Sequence, residues 1–309
     1  MLIRKVSGRL ITSLITIFGS LVLVFCIIYM LPGDPVLSMI DPTVATPEMV
    51  ENLRKELGLD QPFYVQFAEY FTGILSGDFG TSLVNSEPVL PKILTHLPAT
   101  LLLTLTSTIF AVVIGVSLGV LSAIYQNRFI DLLARLIALF GISMPTFWSG
   151  ILLILIFSVN LNWLPAMGSD GLMTLILPSL ALGFVGAGLI VRMVRTSMLE
   201  VINEQFIVTL RAKGLSERIV MYRHALRNAL IPAITIIGIN VGELMAGTVV
   251  IETVFSRQGI GRVIADALMA KDMPVIQGAI FFTAIVYVVV NLLVDLSYSA
   301  VDPRVRRSH

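Results

Sequence analysis

Six long apolar runs dominate the pattern of hydrophobic and polar positions along the chain. Each run approaches or exceeds the roughly 17–25 residues that a helix needs to cross a bilayer. The runs lie near residues 10–31, 99–125, 132–158, 174–194, 232–252 and 276–298. Pro145 interrupts the third run, because a proline inside a helix removes a backbone hydrogen bond. The pattern predicts an all-α membrane protein with six transmembrane helices.

Two polar stretches between these runs have helical patterns of their own. Residues 32–98 predict a helical insertion between the first and second spans, with Thr46 placed as an N-cap before Pro47. This insertion either shields the mouth of the bundle or binds a partner. Several of its aromatic residues suit the lipid headgroup level, namely Phe63, Tyr64, Phe67, Tyr70 and Phe71. Residues 253–275 keep apolar positions on one helical face, which predicts an interfacial or re-entrant helix.

Small residues recur at four-residue intervals in the second and fifth runs. They are Gly115, Gly119 and Ala123, and then Gly238, Gly242 and Ala246. Small side chains at this spacing allow helix backbones to approach closely in lipid. The spacing therefore predicts a tightly packed bundle.

Composition and charge agree with a membrane protein and predict its orientation. The chain is 56% hydrophobic and 13% charged, whereas a soluble domain averages about 25% charged residues. The net charge of +1 conceals an asymmetry, because Lys and Arg concentrate near the N-terminus, around residues 128–135, in residues 192–227 and near the C-terminus. The positive-inside rule therefore predicts that both termini are cytoplasmic.

The predicted organisation has four parts. They are the N-terminus with the first span (1–31), the extracytoplasmic insertion (32–98), a transmembrane core (99–298) and a cytoplasmic tail (299–309). The core contains a cytoplasmic loop at 196–231 and the outer helix at 253–275. We expect the first run to be an uncleaved span, since it is too long for a signal-peptide core and lacks a small-x-small cleavage site.

Motifs for bond-making chemistry are missing from the sequence. It contains no G-x-x-x-x-G-K-[ST] loop for ATP, no H-E-x-x-H zinc motif and no G-x-S-x-G nucleophile motif. One cysteine, Cys26, and three histidines give little material for a disulfide framework or a metal site. We expect no catalytic residue, no metal and no cofactor on this chain.

Ionisable residues inside apolar runs are candidates for a transport path, since a charge at mid-membrane costs about 2.5–3.5 kcal/mol on insertion scales. Glu243 lies inside the fifth run, with Asn240 and Gly247 one turn away on the same face. This face either lines a translocation path or holds helices together. Other ionisable residues near span ends are expected to be interfacial anchors or to line an inner gate, namely Arg192, Arg195, Asp295 and Glu252.

Residues 203–232, called the basic loop below, are too long and too basic for a simple turn. The pattern predicts a short helix at 204–213, a joint at Gly214, and a second helix at 217–228 with Ser216 as its N-cap. We expect apolar side chains of this loop to be exposed, namely Phe206, Ile207, Leu210 and Leu215. Exposed apolar residues surrounded by charge indicate a protein-binding surface; the alternative is adsorption to the membrane surface.

The stretch LRAKGLSERIVMYRHALRNALIP in this loop resembles the coupling loop of ATP-binding-cassette importer permeases of the oligopeptide, dipeptide and nickel branch. The resemblance extends along the chain through LPGDP (31–35), LGLDQPFYVQF (57–67), GDFGTS (77–82), LPATLLLT (97–104), MPTFW (144–148), WLPAMG (163–168), ETVFS (252–256), GIGR (259–262), DMPVIQG (272–278) and DPRVR (302–306). Val208-Thr209-Leu210 replace the general Glu-Ala-Ala, and the gap from Gly214 to Pro232 is longer than usual. Arg257-Gln258 replaces a frequent Trp-Pro pair.

The resemblance implies a type I importer permease fold in a bacterial or archaeal cytoplasmic membrane. It also implies partners: a second, similar permease, two ATPase subunits that bind ATP and Mg²⁺, and an extracytoplasmic binding protein, with no nucleic acid. The residues that it places against the ATPase subunits are Glu204, Phe206, Thr209, Leu210, Arg211, Ala212, Lys213, Gly214 and Leu215.

The implied function is import of short peptides by alternating access, with ATP hydrolysed on separate subunits. A nickel or chelated-metal importer of the same type is the alternative, because WLPAMG and DMPVIQG resemble both kinds of member. A secondary transporter that uses Glu243 to couple an ion gradient is a candidate from another class, and a membrane-anchored scaffold is a third. Neither of the last two explains the basic loop.

Overall fold

A computed structural model of the chain describes residues 2–30, 36 and 46–301, with side-chain surroundings at 8, 11–30, 36 and 46–293. Its helices are α1 (Leu2–Met30), α2 (Pro47–Glu56), α3 (Phe63–Ser76), α4 (Val89–Ile124), α5 (Phe129–Ser143), α6 (Thr146–Leu153), α7 (Met173–Ile202), α8 (Gln205–Ala212), α9 (Glu217–Ile219), α10 (Leu226–Val254), α11 (Ile260–Ala270) and α12 (Met273–Val301). Within the described residues, β-type pairing is limited to an isolated bridge between Thr81 and Pro88. The prediction of an all-α protein is confirmed. The LPGDP motif at 31–35 and most of the tail, 302–309, lie outside the described residues.

Helices of membrane-spanning length and composition account for five of the six apolar runs, and a bent pair of helices covers the third. Five candidates occur in the described part of the chain, and a sixth arises if the bent pair α5 and α6 counts as one span. The helices are longer than predicted at several ends. For example, α4 begins at Val89 rather than near 99 and holds Pro98 in its interior.

Pro145 divides the third apolar run into two helices. The axes of α5 and α6, the latter extended by a π-helical segment at Ile154–Asn160, differ in direction by 113°. Met144 has extended backbone angles (φ −83°, ψ 132°) between the two helices, because the ring of a following proline disfavours the helical conformation. The predicted interruption is therefore confirmed as a sharp bend.

The second helix of the basic loop is continuous with the fifth span, which corrects the prediction of a separate helix ending near 228. From Glu217 the chain runs through α9, a π-helical segment at Val220–Ala225 and α10 to Val254, a span of 38 residues. Pro232 lies inside α10. Ala229 and Ala233 on either side of it are fully buried, so packing of this face stabilises the helix across the proline.

The described residues up to Ala99, together with Gln258–Val289, form one of two compact units. Its core joins apolar side chains of α1, the start of α4, α11 and the start of α12. Phe25 of α1 packs against α3, with ring centroids 5.3 Å from Phe67 and 5.5 Å from Tyr70. The motifs GDFGTS and DMPVIQG meet here, because Asp272 accepts hydrogen bonds from the Ser82 hydroxyl and from Leu83 N.

Thr100–Arg257, with the described residues from Val290, form the other unit, in which α7 is the central helix. A Cβ added at Gly115 would lie 2.6 Å from Ile190, and one at Gly119 would lie 2.8 Å from Val194, so α4 and α7 are in close contact. The predicted close packing of the second span is confirmed. In α10, Gly238 and Gly242 are buried but Ala246 is exposed. Glycines of α7 itself make further close approaches: a Cβ at Gly188 would lie 2.6 Å from Ala138 O of α5.

Candidate functional site

The short helix α8 of the basic loop ends in a glycine-based cap. Gly214 has φ +77°, a left-handed conformation that costs an L-residue about 1–2 kcal/mol. Gly214 N donates to Arg211 O at 3.0 Å, and Leu215 N donates to Leu210 O at 3.4 Å. This pair of bonds is the Schellman motif, which satisfies the last carbonyls of a helix. The predicted helix at 204–213 and its joint at Gly214 are confirmed.

One face of α8 is anchored in the protein and the other is exposed. Ile207 is fully buried in a cluster with Met198 of α7 and with Met221, and Leu210 and Leu215 pack against the same cluster. The prediction that Ile207 is exposed was wrong, because its side chain lies on the face that contacts α7 and the segment after α9. Phe206 is 39% exposed. Six more of the predicted ATPase-contacting residues are exposed, namely Glu204, Thr209, Arg211, Ala212, Lys213 and Gly214. Leu210 and Leu215, which were also predicted to be exposed, are half-buried instead.

An ion pair crosses the Gly214 joint. Arg211 donates from Nη2 to Glu217 Oε1 at 2.7 Å and from Nε to Oε2 at 3.1 Å. Hydrogen bonding to Glu217 raises the pKa of Arg211. Both side chains are well exposed, so the pair adds little stability, about 0–1 kcal/mol. Ser216 stands before α9 with extended backbone angles, yet its side chain makes no capping hydrogen bond within the described structure.

Arg195 belongs to a charge cluster where α4, α5 and α7 meet. It donates from Nε and Nη2 to Asp131 at 2.8 and 3.0 Å. Asp131 is fully buried and also accepts from Ser122 Oγ at 2.5 Å and from Asn127 N at 3.0 Å. Sequence reasoning missed Asp131. The only signal in the sequence was its position in the first turn of an apolar helix, between Arg128 and Arg135. Those two arginines were used only to predict the orientation of the chain in the membrane.

A groove of about 370 Å³ lies between α7 and α10, and half of its lining residues are apolar, namely Leu189, Met193, Ile236 and Ile239. It is called the polar groove below for its other four residues. Its polar lining residues are Arg192, Thr196, Asn240 and Glu243, and all but Asn240 are exposed. Asn240 is buried and donates from Nδ2 to Gly186 O at 3.4 Å. Glu243 and Asn240, predicted on one face, are thus brought together with Arg192. Gly247 is a packing position instead, since a Cβ there would lie 2.7 Å from Leu182. The side chain of Asp295 lies outside the described part of the chain.

The C-terminal end of α10 is held by a buried acid and a buried base. Glu252 is fully buried and accepts from Thr100 Oγ1 at 2.6 Å. Arg257 is 2% exposed and donates from Nη1 to Thr174 O at 3.3 Å. Burial lowers the pKa of Arg257, and the charge of Glu252 opposes that effect. Arg257 therefore contributes to internal packing and not to an exposed contact surface.

Comparison with known families decides the identity. Residues 115–307 match the family described as "Binding-protein-dependent transport system inner membrane component", and residues 1–104 match its N-terminal family. The chain belongs to this family of inner-membrane transport components. It is the permease component of a binding-protein-dependent ABC importer, as the motifs of the basic loop predict.

Similar proteins cover nearly the full length of this permease. The glutathione transport system permease protein GsiC of Escherichia coli K12 is 42% identical over 305 residues, which is 99% of each chain. The protein of the same name from Salmonella typhimurium LT2 is also 42% identical over 99% of each chain.

Solved structures support the fold. A chain of the MetNI methionine ABC transporter in an inward-facing conformation matches with a TM-score of 0.60 at 22% identity, over 70% of this permease and 99% of that chain. A second crystal form of the same transporter gives a TM-score of 0.57 at 20% identity, again over 70% of this permease and 99% of that chain. The predicted importer permease fold is confirmed.

Proposed function

We propose that this permease imports short peptides by alternating access, with both termini and the basic loop on the cytoplasmic side. One of two ATPase subunits binds the exposed face of α8, a second, similar permease completes the path and binds the other ATPase subunit, and an extracytoplasmic binding protein delivers the cargo. ATP and Mg²⁺ bind to the ATPase subunits. Arg192, Asn240 and Glu243 line the path, and Arg195 acts with Asp131 as an anchor at the inner end.

The connection that α8 makes along the chain between the two helices lining the polar groove carries this proposal. The helix follows α7 directly and leads through Gly214 and α9 into α10. Ile207 anchors it against both neighbours. A force applied to the exposed face of α8 therefore reaches α7 and α10 together, and these are the helices that line the groove. An ion-driven transporter does not require this arrangement.

Short peptides are the favoured cargo. The relatives that are 42% identical are named for glutathione transport, and glutathione is a tripeptide with a free amino group and free carboxylates. The polar groove presents one cation and one anion, Arg192 and Glu243, which suits such a molecule. The nickel alternative has only the shared motifs in its support.

Uptake into proteoliposomes tests the proposal. The permease is reconstituted with its partner permease, the two ATPase subunits and the binding protein, and offered labelled dialanine, glutathione or a nickel–histidine complex. We expect ATP-dependent uptake of at least one of the peptides, insensitive to an ionophore. Uptake of the nickel complex alone would show that the cargo is wrong. Peptide uptake that continues without ATP and stops with an ionophore would show that the mechanism is wrong.

A further inference from the structure

Two charged side chains on the walls of the polar groove are exposed within this chain; Glu243 lies in the middle of an apolar run, and Arg192 lies near the end of one. Arg192 lies ten residues before the end of α7, and Glu243 lies eleven residues before the end of α10. Neither is a member of the ion pairs found within the described structure. A charge at mid-membrane that faces lipid, as Glu243 would, costs about 2.5–3.5 kcal/mol. This face of α7 and α10 is therefore turned away from lipid, toward water or a bound molecule.

The register of the two helices sets the distance between the charges. α7 and α10 are antiparallel, since Leu182 lies beside Gly247 and Gly186 lies beside Asn240. From that second level, Arg192 lies six residues toward the end that carries α8, and Glu243 lies three residues toward the opposite end. With a rise of 1.5 Å per residue, their Cα atoms are about 13–14 Å apart along the groove when counted from the second level, and about 9 Å apart when counted from the first.

This distance fits a small zwitterion between the two side chains. An extended peptide spans at most about 3.3–3.6 Å per residue, so two or three residues cover roughly 7–11 Å. Two residues with a hydrogen bond of about 2.8 Å at each end need about 12–13 Å, so a dipeptide fits when the two side chains point across the groove, and a tripeptide fits when they point apart. A guanidinium binds a carboxylate through two parallel hydrogen bonds, and a carboxylate accepts hydrogen bonds from an ammonium group.

We propose that the polar groove binds the two charged ends of a di- or tripeptide, with the α-ammonium at Glu243 and the α-carboxylate at Arg192. This inference rests on the proposed function and adds to it a direction of passage. The carboxylate end lies toward the end of the groove that carries α8, so it leads into the cytoplasm. Free termini, and not side chains, are what the groove recognises, which suits a path that must pass many sequences.

Binding to the complete transporter, purified without its binding protein, tests this pairing. The ligands are dialanine, N-acetyl-dialanine and dialanine amide, which carry both terminal charges, the carboxylate alone and the ammonium alone. Glu243→Gln should weaken binding of dialanine and of the amide by about tenfold or more, and leave the acetylated peptide unchanged. Arg192→Met should weaken dialanine and the acetylated peptide by a similar factor and leave the amide unchanged.

Matched controls remove the same charges elsewhere. Glu200→Gln and Arg218→Met change exposed residues outside the groove and should leave all three affinities unchanged. An unchanged affinity for one ligand also shows that a groove variant is folded. Equal losses for all three ligands would overturn the proposal and indicate that these charges pair with the second permease.

The uptake assay separates a failure of this inference from a failure of the proposed function. If wild-type transporter shows no saturable dipeptide binding but still imports dialanine with ATP, the groove assignment is wrong and peptide import stands. If uptake is absent as well, the proposed cargo is wrong.

Discussion

Phe206→Asp is expected to reduce import by about tenfold or more while the ATPase subunits continue to hydrolyse ATP. Phe206 lies on the exposed face of α8, beside the buried anchor Ile207. Buried aromatic anchors dominate interface energies, and a carboxylate buried there without a partner is strongly unfavourable. The ratio of peptide imported to ATP hydrolysed, measured in proteoliposomes, reports the effect.

Val84→Asp is the matched control for this change. Val84 is 64% exposed and lies outside both the basic loop and the polar groove, so its substitution should leave the ratio at the wild-type value. A Phe206→Asp permease that imports peptide normally would show that the exposed face of α8 is not where the ATPase subunits act.

Substitutions at Gly214 should give a graded version of the same result. Gly214→Ala places an L-residue at φ +77°, at a cost of about 1–2 kcal/mol, and should lower the ratio modestly. Gly214→Pro also removes the N–H that donates to Arg211 O and fixes φ near −65°. We expect it to abolish coupling while membrane insertion continues, as checked by the amount of assembled complex.

The second large effect is expected at Asp131. Asp131→Ala leaves Arg195, whose side chain is only 20% exposed, without its carboxylate. Removing one partner of a buried ion pair destabilises a protein by about 3–5 kcal/mol. The variant should therefore unfold at a clearly lower temperature, as measured by thermal unfolding of the purified complex.

Arg135→Ala is the comparison for Asp131→Ala. The Arg135 side chain is 51% exposed and lies 3.4 Å from the same carboxylate, so its loss should change stability by less than about 1 kcal/mol. Equal shifts in Tm for the two variants would contradict the assignment of Asp131 and Arg195 as the anchor between α5 and α7.

Local patterns in the sequence predicted much of the fold. The apolar runs are long enough to identify each span without knowledge of the helices beside it. Pro145 predicts the bend between α5 and α6 because its ring disfavours the helical conformation at the preceding residue. Gly214 could be assigned to a joint because a left-handed helix cap needs glycine. Each of these features depends on residues that are close in sequence.

Features that depend on distant residues were not predictable in the same way. Asp131 accepts a hydrogen bond from Arg195, which is 64 positions away in the sequence. No neighbouring residue in the sequence distinguishes Asp131 from an ordinary aspartate at the start of a helix. Ile207 and Phe206 are adjacent and similarly apolar, so only the packing of α8 against Met198 and Met221 decides which one is buried. Arg192 and Glu243 could each be identified from the sequence as candidate site residues. Their position on the walls of one groove depends on the register between α7 and α10, which the sequence does not show.

The central claim is that the exposed face of α8 binds an ATPase subunit, and site-specific photocrosslinking tests it most directly. A photoreactive amino acid is placed at Phe206, and in a separate variant at Tyr64 of α3, which is 71% exposed. After irradiation of assembled transporter in membranes, we predict a covalent product between the permease and an ATPase subunit at Phe206 and none at Tyr64. A product with lipid alone at Phe206 would contradict the claim and favour adsorption of the basic loop to the membrane surface.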